Sequence, residues 1–127
     1  MPEVKYKVAL IEDEPDLAEI YHLKMQMEGI EATIIGDSTK ALAELKRLKP
    51  DLVLLDIMMP EVDGWTLFDQ IKQDGELAKI KVYIWSNLTQ KKDKDRAAGL
   101  KVNGYLVKSD FTPGTLSQKV KELIKNK

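Results

Sequence analysis

The 127-residue chain has no cysteine and a single histidine, His22. The first absence excludes thiolate catalysis, disulfides and cysteine-based zinc sites. The second excludes a multi-histidine metal site. An excess of one charge is also missing. Twenty basic and 21 acidic residues leave a net charge of −1. That balance gives no support to non-specific binding of nucleic acid or of a membrane surface, both of which want excess positive charge. No stretch approaches the roughly 18 apolar residues of a membrane span, and the first residues lack the apolar run of a signal peptide. The expectation is a soluble, cytoplasmic, single domain over residues 1–127. At this length a chain buries roughly two thirds of its unfolded surface, so it folds without a metal or disulfide.

What is present alternates. Short apolar runs at Tyr6–Ile11, Asp51–Asp56 and Ile80–Trp85 suit strands buried on both faces, with weaker candidates at Glu31–Ile35 and Gly104–Val107. Helical patterns lie between them. Leu17, Ile20, Tyr21, Leu23 and Met27 are expected to form one apolar face, stopped by Gly29. Asp37 or Ser38 caps a second helix carrying Ala41, Leu42, Leu45 and Leu48. Asp63 caps a third with Leu67, Phe68 and Ile71. Thr112-Pro113 opens a last helix with Leu116, Val120, Leu123 and Ile124. The nearly all-polar segment Thr89–Ala98 permits a helix but buries little. Five strand–helix alternations imply an α/β, flavodoxin-like three-layer sandwich around a parallel sheet.

In open parallel sheets, ligands bind outside the carboxyl ends of the strands. Glu12 and Asp13 follow the first strand, Asp56 ends the third, Ser86 follows the fourth and Lys108 the fifth. Three acids, a hydroxyl and an amine would therefore converge on one edge. Two carboxylates about 4 Å apart repel by about 4 kcal/mol at an effective dielectric near 20. Three acids and one lysine sum to −2, so the site either raises a carboxylate pKa or recruits a divalent cation. Mg²⁺ suits an all-oxygen donor set. An aspartate can attack phosphorus while a metal and an amine neutralise the transferring group. Asp56, at the end of a central strand and before the turn Ile57-Met58-Met59-Pro60, is the nucleophile candidate.

This pattern resembles the receiver domain of two-component response regulators over essentially the whole chain. The resemblance rests on Glu12-Asp13, on Asp56 followed by Met59-Pro60 and Gly64, on Ser86 and Gly99, and on Tyr105 three residues before Lys108. It implies a parallel sheet in order 2-1-3-4-5. It implies that Asp56 accepts a phosphoryl group from a sensor histidine kinase or phosphotransfer protein. Glu12, Asp13, Asp56 and the backbone carbonyl of Met58 would hold Mg²⁺, Asp13 directly and Glu12 through water. Lys108 would bind the phosphoryl group, Ser86 would swing toward it, and Tyr105 would follow inward. Helix four, strand five and helix five would then present a changed surface to a downstream protein. The other implied terms are no enzyme activity beyond self-directed phosphorylation and dephosphorylation, and a monomer or weak homodimer; the charge balance adds the expectation of no direct nucleic-acid or membrane binding.

Four positions depart from the commonest pattern of that family: Glu12 for aspartate, Ser86 for threonine, Asn87 for a small apolar residue, and Ser109 where a cis-proline is usual. A non-proline cis bond costs about 3 kcal/mol, so the expectation is either a strained Lys108–Ser109 bond or a trans bond with a shifted lysine. Against the phosphoacceptor reading stand a degenerate receiver that docks partners without phosphorylation, a flavin-nucleotide binder and an aspartate-nucleophile phosphatase. The flavin reading wants a Ser/Thr/Gly-rich loop where this chain has Glu12-Asp13-Glu14-Pro15-Asp16. The phosphatase reading wants an acid where it has Met58. Each site residue also has a plainer reading: solvated helix start, turn former, surface lysine. Their joint register is what argues against these. Met25, Met27, Met58 and Met59 are expected to pack, Trp65 and Trp85 to lie in the core or at the site rim, and Lys91–Arg96 to be a solvated face.

Overall fold

Leu52–Leu55 is four apolar residues in a row, each wholly shielded from solvent. Such a run can only be a strand covered on both faces, and it sits at the centre of the sheet. The computed structural model describes residues 6–87 and 91–125. In chain order they form β1 (Tyr6–Ile11), α1 (Pro15–Met27), β2 (Ile30–Ile35), α2 (Ala41–Leu48), β3 (Leu52–Leu55), α3 (Gly64–Gln73), β4 (Lys81–Ser86), α4 (Lys91–Gly99), β5 (Gly104–Val107) and α5 (Pro113–Lys125), with single 3-10 turns at Ser38–Lys40 and Lys108–Asp110. The five strands are all parallel, in the order β2-β1-β3-β4-β5. The alternation and the strand order are those expected.

Side-chain alternation splits the core in two. Val8, Leu10, Leu52 and Leu54 face α1 and α5, where they meet Ala18, Tyr21, Met25, Leu116 and Val120. Ala9, Ile11, Val53 and Leu55 face the other way, onto Leu45, Phe68, Ile71 and Ala97 of α2, α3 and α4. Burying each large aliphatic side chain contributes about 1.5–3 kcal/mol, so the central strands are the best-anchored part of the molecule. Helix starts follow the expected chemistry. The Asp63 carboxylate accepts from the Thr66 N–H at 2.8 Å, and the Thr112 hydroxyl accepts from the Thr115 N–H at 3.1 Å. The Asp37 carboxylate caps the 3-10 turn that leads into α2, accepting from the Thr39 N–H at 3.0 Å.

Three expectations are corrected. The buried face of α1 is Ala18, Tyr21 and Met25, whereas Ile20, Leu23 and Met27 point outward with 53, 54 and 78% exposure. Helix α1 carries apolar residues on two sides, and contact with α5 and the sheet selects the side bearing the small Ala18. Met27 and Met58 are exposed, so of the four methionines only Met25 and Met59 pack. The strands at 30–35, 52–55 and 81–86 begin or end one residue away from the runs that mark them in the sequence. In the polar segment, α4 covers Lys91–Gly99, and Thr89 and Gln90 lie outside the described residues. None of the helices among the described residues is long and apolar enough to cross a membrane.

Candidate functional site

The main-chain ladder runs past the strands at the carboxyl edge. The Glu12 N–H donates to the Ile35 carbonyl at 3.1 Å and the Asp56 N–H to the Ile11 carbonyl at 3.0 Å. Both acids therefore leave the sheet on hydrogen-bonded backbone. Asp56 is fixed further by its own turn, since the Met58 N–H donates to its Oδ1 at 2.9 Å. Helix α3 starts hard against that turn. Gly64 donates its N–H to the Ile57 carbonyl at 3.1 Å, and a Cβ added there would stand 2.3 Å from the Ile57 Cα and 2.5 Å from the Asp56 carbonyl oxygen. Only glycine allows this approach.

One carboxylate oxygen from each of Glu12, Asp13 and Asp56 lies within 4.8 Å of the others. At that distance each charged pair repels by about 3 kcal/mol at an effective dielectric near 20. Lys108 crosses from β5 to answer this. Its Nζ donates to Glu12 Oε2 at 2.5 Å and to Asp56 Oδ2 at 3.0 Å. Burial opposes the lysine's charge, but these two partners outweigh it and hold the amine above its ordinary range. Glu12, 1% exposed, is also shifted upward, which for a carboxyl favours the neutral form. Burial, helped by the field of Asp56, pushes its carboxyl up to about 7 in spite of the bond from Lys108. A pocket of about 300 Å³ opens above, lined by Asp13, Glu14, Asp56, Met58, Ser86, Asn87 and Lys108. Glu12 lies beneath it, covered by the lysine.

Ser86 closes the β4 side and is buried. Tyr105, half-buried on β5, shares a side-chain hydrogen bond with Ser86. The described residues contain no cis peptide bond, so Lys108–Ser109 is trans. Of the two expected outcomes, the trans bond is the one found, and it still lets Lys108 reach Asp56. The Ser109 N–H donates to Asn87 Oδ1 at 2.8 Å. Behind the lysine, its Nζ lies 6.0 Å from the ring centre of Trp85, which in turn meets Tyr21 edge-on at 5.2 Å. Trp85 is thus a core aromatic that touches the site, while Trp65, against Arg96 at 4.8 Å, belongs to the α3/α4 side.

All of the side chains singled out for the pocket (Glu12, Asp13, Asp56, Ser86, Lys108 and, one step behind, Tyr105) are therefore brought together. The all-oxygen acidic set, left at −2 by a single lysine, fits a hard divalent cation such as Mg²⁺. For Met58, the bond present is from its N–H to Asp56, and its side chain is exposed. Ser38, read from the sequence only as a possible helix cap, has a role at the site that the sequence did not reveal. Its buried hydroxyl donates to the Pro60 carbonyl at 3.0 Å and accepts from the Val62 N–H at 3.1 Å, clamping the loop that follows Asp56. No spacing rule ties a serine to main chain more than 20 residues away.

A doubly wound parallel sheet with an acidic, lysine-bridged pocket at its carboxyl edge defines a class of α/β modules. The chain belongs to the response regulator receiver domain family, whose model matches residues 8–121. It is 30% identical over 102 residues to the DNA-binding dual master transcriptional regulator RpaA of Synechocystis, a match covering 80% of this chain and 42% of that protein. It is 33% identical over 75 residues to the DNA-binding response regulator MtrA of Mycolicibacterium smegmatis, covering 59% of this chain and 33% of the relative. Among solved structures, the receiver domain of the Francisella response regulator 1452 aligns at 27% identity with a TM-score of 0.83, covering 94% of this chain and 97% of that one. The fold is shared with the chemotaxis protein CheY4 of Vibrio cholerae at 21% identity and a TM-score of 0.84, covering 94% and 98%.

The chain spans about a third to a half of the length of the curated relatives it matches. This corrects the partner list inferred from charge. A net charge of −1 argued against nucleic acid, yet relatives that share this segment are named DNA-binding regulators. Net charge describes the segment alone, and the exclusion of nucleic acid is withdrawn.

Proposed function

We propose that the domain is a phosphoacceptor switch in which Asp56 is the nucleophile. The observation that carries this reading is the state of the Asp56 carboxylate. It is almost fully shielded from bulk solvent and opens onto the pocket, with Oδ1 held by the Met58 N–H and Oδ2 by Lys108. A carboxylate oxygen of Asp56 attacks phosphorus. The bond from phosphorus to the donor's leaving group breaks, and the leaving group departs with the electron pair. The product is an acyl phosphate on Asp56, which water later hydrolyses. Lys108 neutralises the arriving anion and Ser86 offers it a hydroxyl. Glu12, Asp13, Asp56 and the Met58 backbone carbonyl would hold Mg²⁺, which supplies positive charge opposite the phosphoryl oxygens. No separate substrate is turned over.

Phosphorylation replaces the single charge of Asp56 with an acyl phosphate of about −1.5 to −2, so the pocket goes from −2 to about −2.5 to −3 and gains new acceptor oxygens. The groups able to answer are Lys108 and Ser86. Ser86 is bonded to Tyr105, so a change at the pocket passes to β5 and to the surface that β5 forms with α4 and α5. The test is incubation with Mg²⁺ and acetyl phosphate followed by mass mapping. One phosphoryl group on Asp56 is expected, and Asp56→Asn takes none. Phosphorylation elsewhere, or in the variant, would overturn the assignment. If beryllofluoride with Mg²⁺ left the amide spectrum of the protein unchanged, docking without phosphorylation would be the better reading.

A further inference from the structure

We propose that Asn87 is a positioning residue for Lys108. The inference rests on the reading that Lys108 meets the phosphoryl group. Lys108 opens the single turn Lys108–Asp110, whose internal bond runs from the Phe111 N–H to the Lys108 carbonyl at 3.2 Å. An N–H at the start of such a turn has no acceptor within it and must find one outside. Ser109 finds Asn87 Oδ1, 22 residues earlier, at 2.8 Å. A proline at 109 has no N–H to give, and a small apolar residue at 87 has no oxygen to receive it. The two residues are chemically complementary, and each follows directly on a side chain of the pocket. Asn87 succeeds Ser86 and Ser109 succeeds Lys108. One bond therefore ties the main chain just after the amine to the side chain just after the hydroxyl. Asn87 itself lines the pocket, so the tie lies at its mouth.

Lys108 needs such a tie. Its Nζ must stay on the two carboxylates that follow β1 and β3 while its backbone stands past the last paired residues of β4 and β5. Without the bond the turn is free to shift, and the amine shifts with it.

Two measurements test this. In a Trp65→Phe background, Trp85 is the sole tryptophan, and Lys108 lies over its ring. In metal-free protein, Asn87→Ala is expected to shift the Trp85 emission, and Asn87→Asp, which keeps the acceptor oxygen, to restore it. With Mg²⁺ and acetyl phosphate, Asn87→Ala and Ser109→Pro should each slow phosphorylation roughly fivefold, the worth of one solvent-facing hydrogen bond. The double variant should be no slower than the slower single, because both changes break the same bond. Unchanged emission in Asn87→Ala, or rate losses that multiply in the double variant, would overturn the proposal. If the unmodified chain takes up no phosphoryl group, the function reading fails and the emission arm still decides the positioning role.

Discussion

On the β1/β3 side of the pocket the acids hang from main chain that is still hydrogen-bonded. On the β4/β5 side the ladder ends at Ser86 and Val107, and side chains take over the holding. Glu12 and Asp56 are each anchored through their own N–H to the neighbouring strand. Lys108 is anchored through its Nζ to those acids, and its turn through Asn87. Main-chain anchoring fixes where negative charge sits. Side-chain anchoring leaves Lys108 and its turn dependent on that charge, so under the proposed function a phosphoryl group on Asp56 would act first on the side that can rearrange.

The comparison breaks most visibly if the bridge between the two sides is removed. Lys108→Met leaves Glu12 and Asp56 buried and facing each other without a cation. Removing one member of a buried ion pair costs about 3–5 kcal/mol. The metal-free variant should lose that much at pH 8 in urea denaturation. The loss should shrink toward pH 5.5, because Glu12 can then take up a proton and remove one of the charges. A pH-independent loss would mean that the lysine acts by packing alone.

Two glycines, one on each side, sharpen the contrast. Gly64 abuts main chain, with Ile57 Cα at 2.3 Å from an added Cβ, whereas Gly104 abuts the Tyr83 ring edge at 2.6 Å. Backbone cannot move without dragging the Asp56 turn, while a half-buried ring can swing aside. Gly64→Ala is expected to cost about 3 kcal/mol and Gly104→Ala about 1 kcal/mol, both by chemical denaturation. Equal costs would show that the β3 turn is as yielding as the β4/β5 rim.

The same division explains what could be read in advance. The acids were legible because apolar runs fix where strands end, and a parallel sheet brings those ends to one edge. Asn87 and Ser109 were each visible as departures from the family pattern, but not as partners. Their bond depends on a trans Lys108–Ser109 linkage that sequence leaves open. The Lys108–Glu12 pair spans 96 residues and follows from the strand order as much as from residue type. The α1 face was misassigned because the helix has two apolar sides. Periodicity ranks sides by hydrophobicity, whereas packing against α5 and the sheet ranks them by shape, which favours Ala18 and Met25 over Ile20 and Met27.

The remaining expected effect is a slope in pH, and it isolates Glu12. In the folded, metal-free protein its carboxyl stands at about 7, against 4.5 for the free side chain. The folded state therefore binds the proton more tightly than the unfolded state does. The stability contributed by this group is complete below about 4.5 and is lost as pH rises through 7. The carboxylates of Glu28, bonded to Lys24, of Asp37, bonded to Thr39, and of Asp74, bonded to Lys46, are shifted downward, so their contributions are lost only at lower pH. Between pH 5 and 8, in EDTA, the melting temperature should fall as pH rises, and Glu12→Gln should flatten that fall. A Glu12→Gln variant with an unchanged slope would place the proton elsewhere in the cluster. The main-chain-anchored side would then hold Glu12 charged even without a metal.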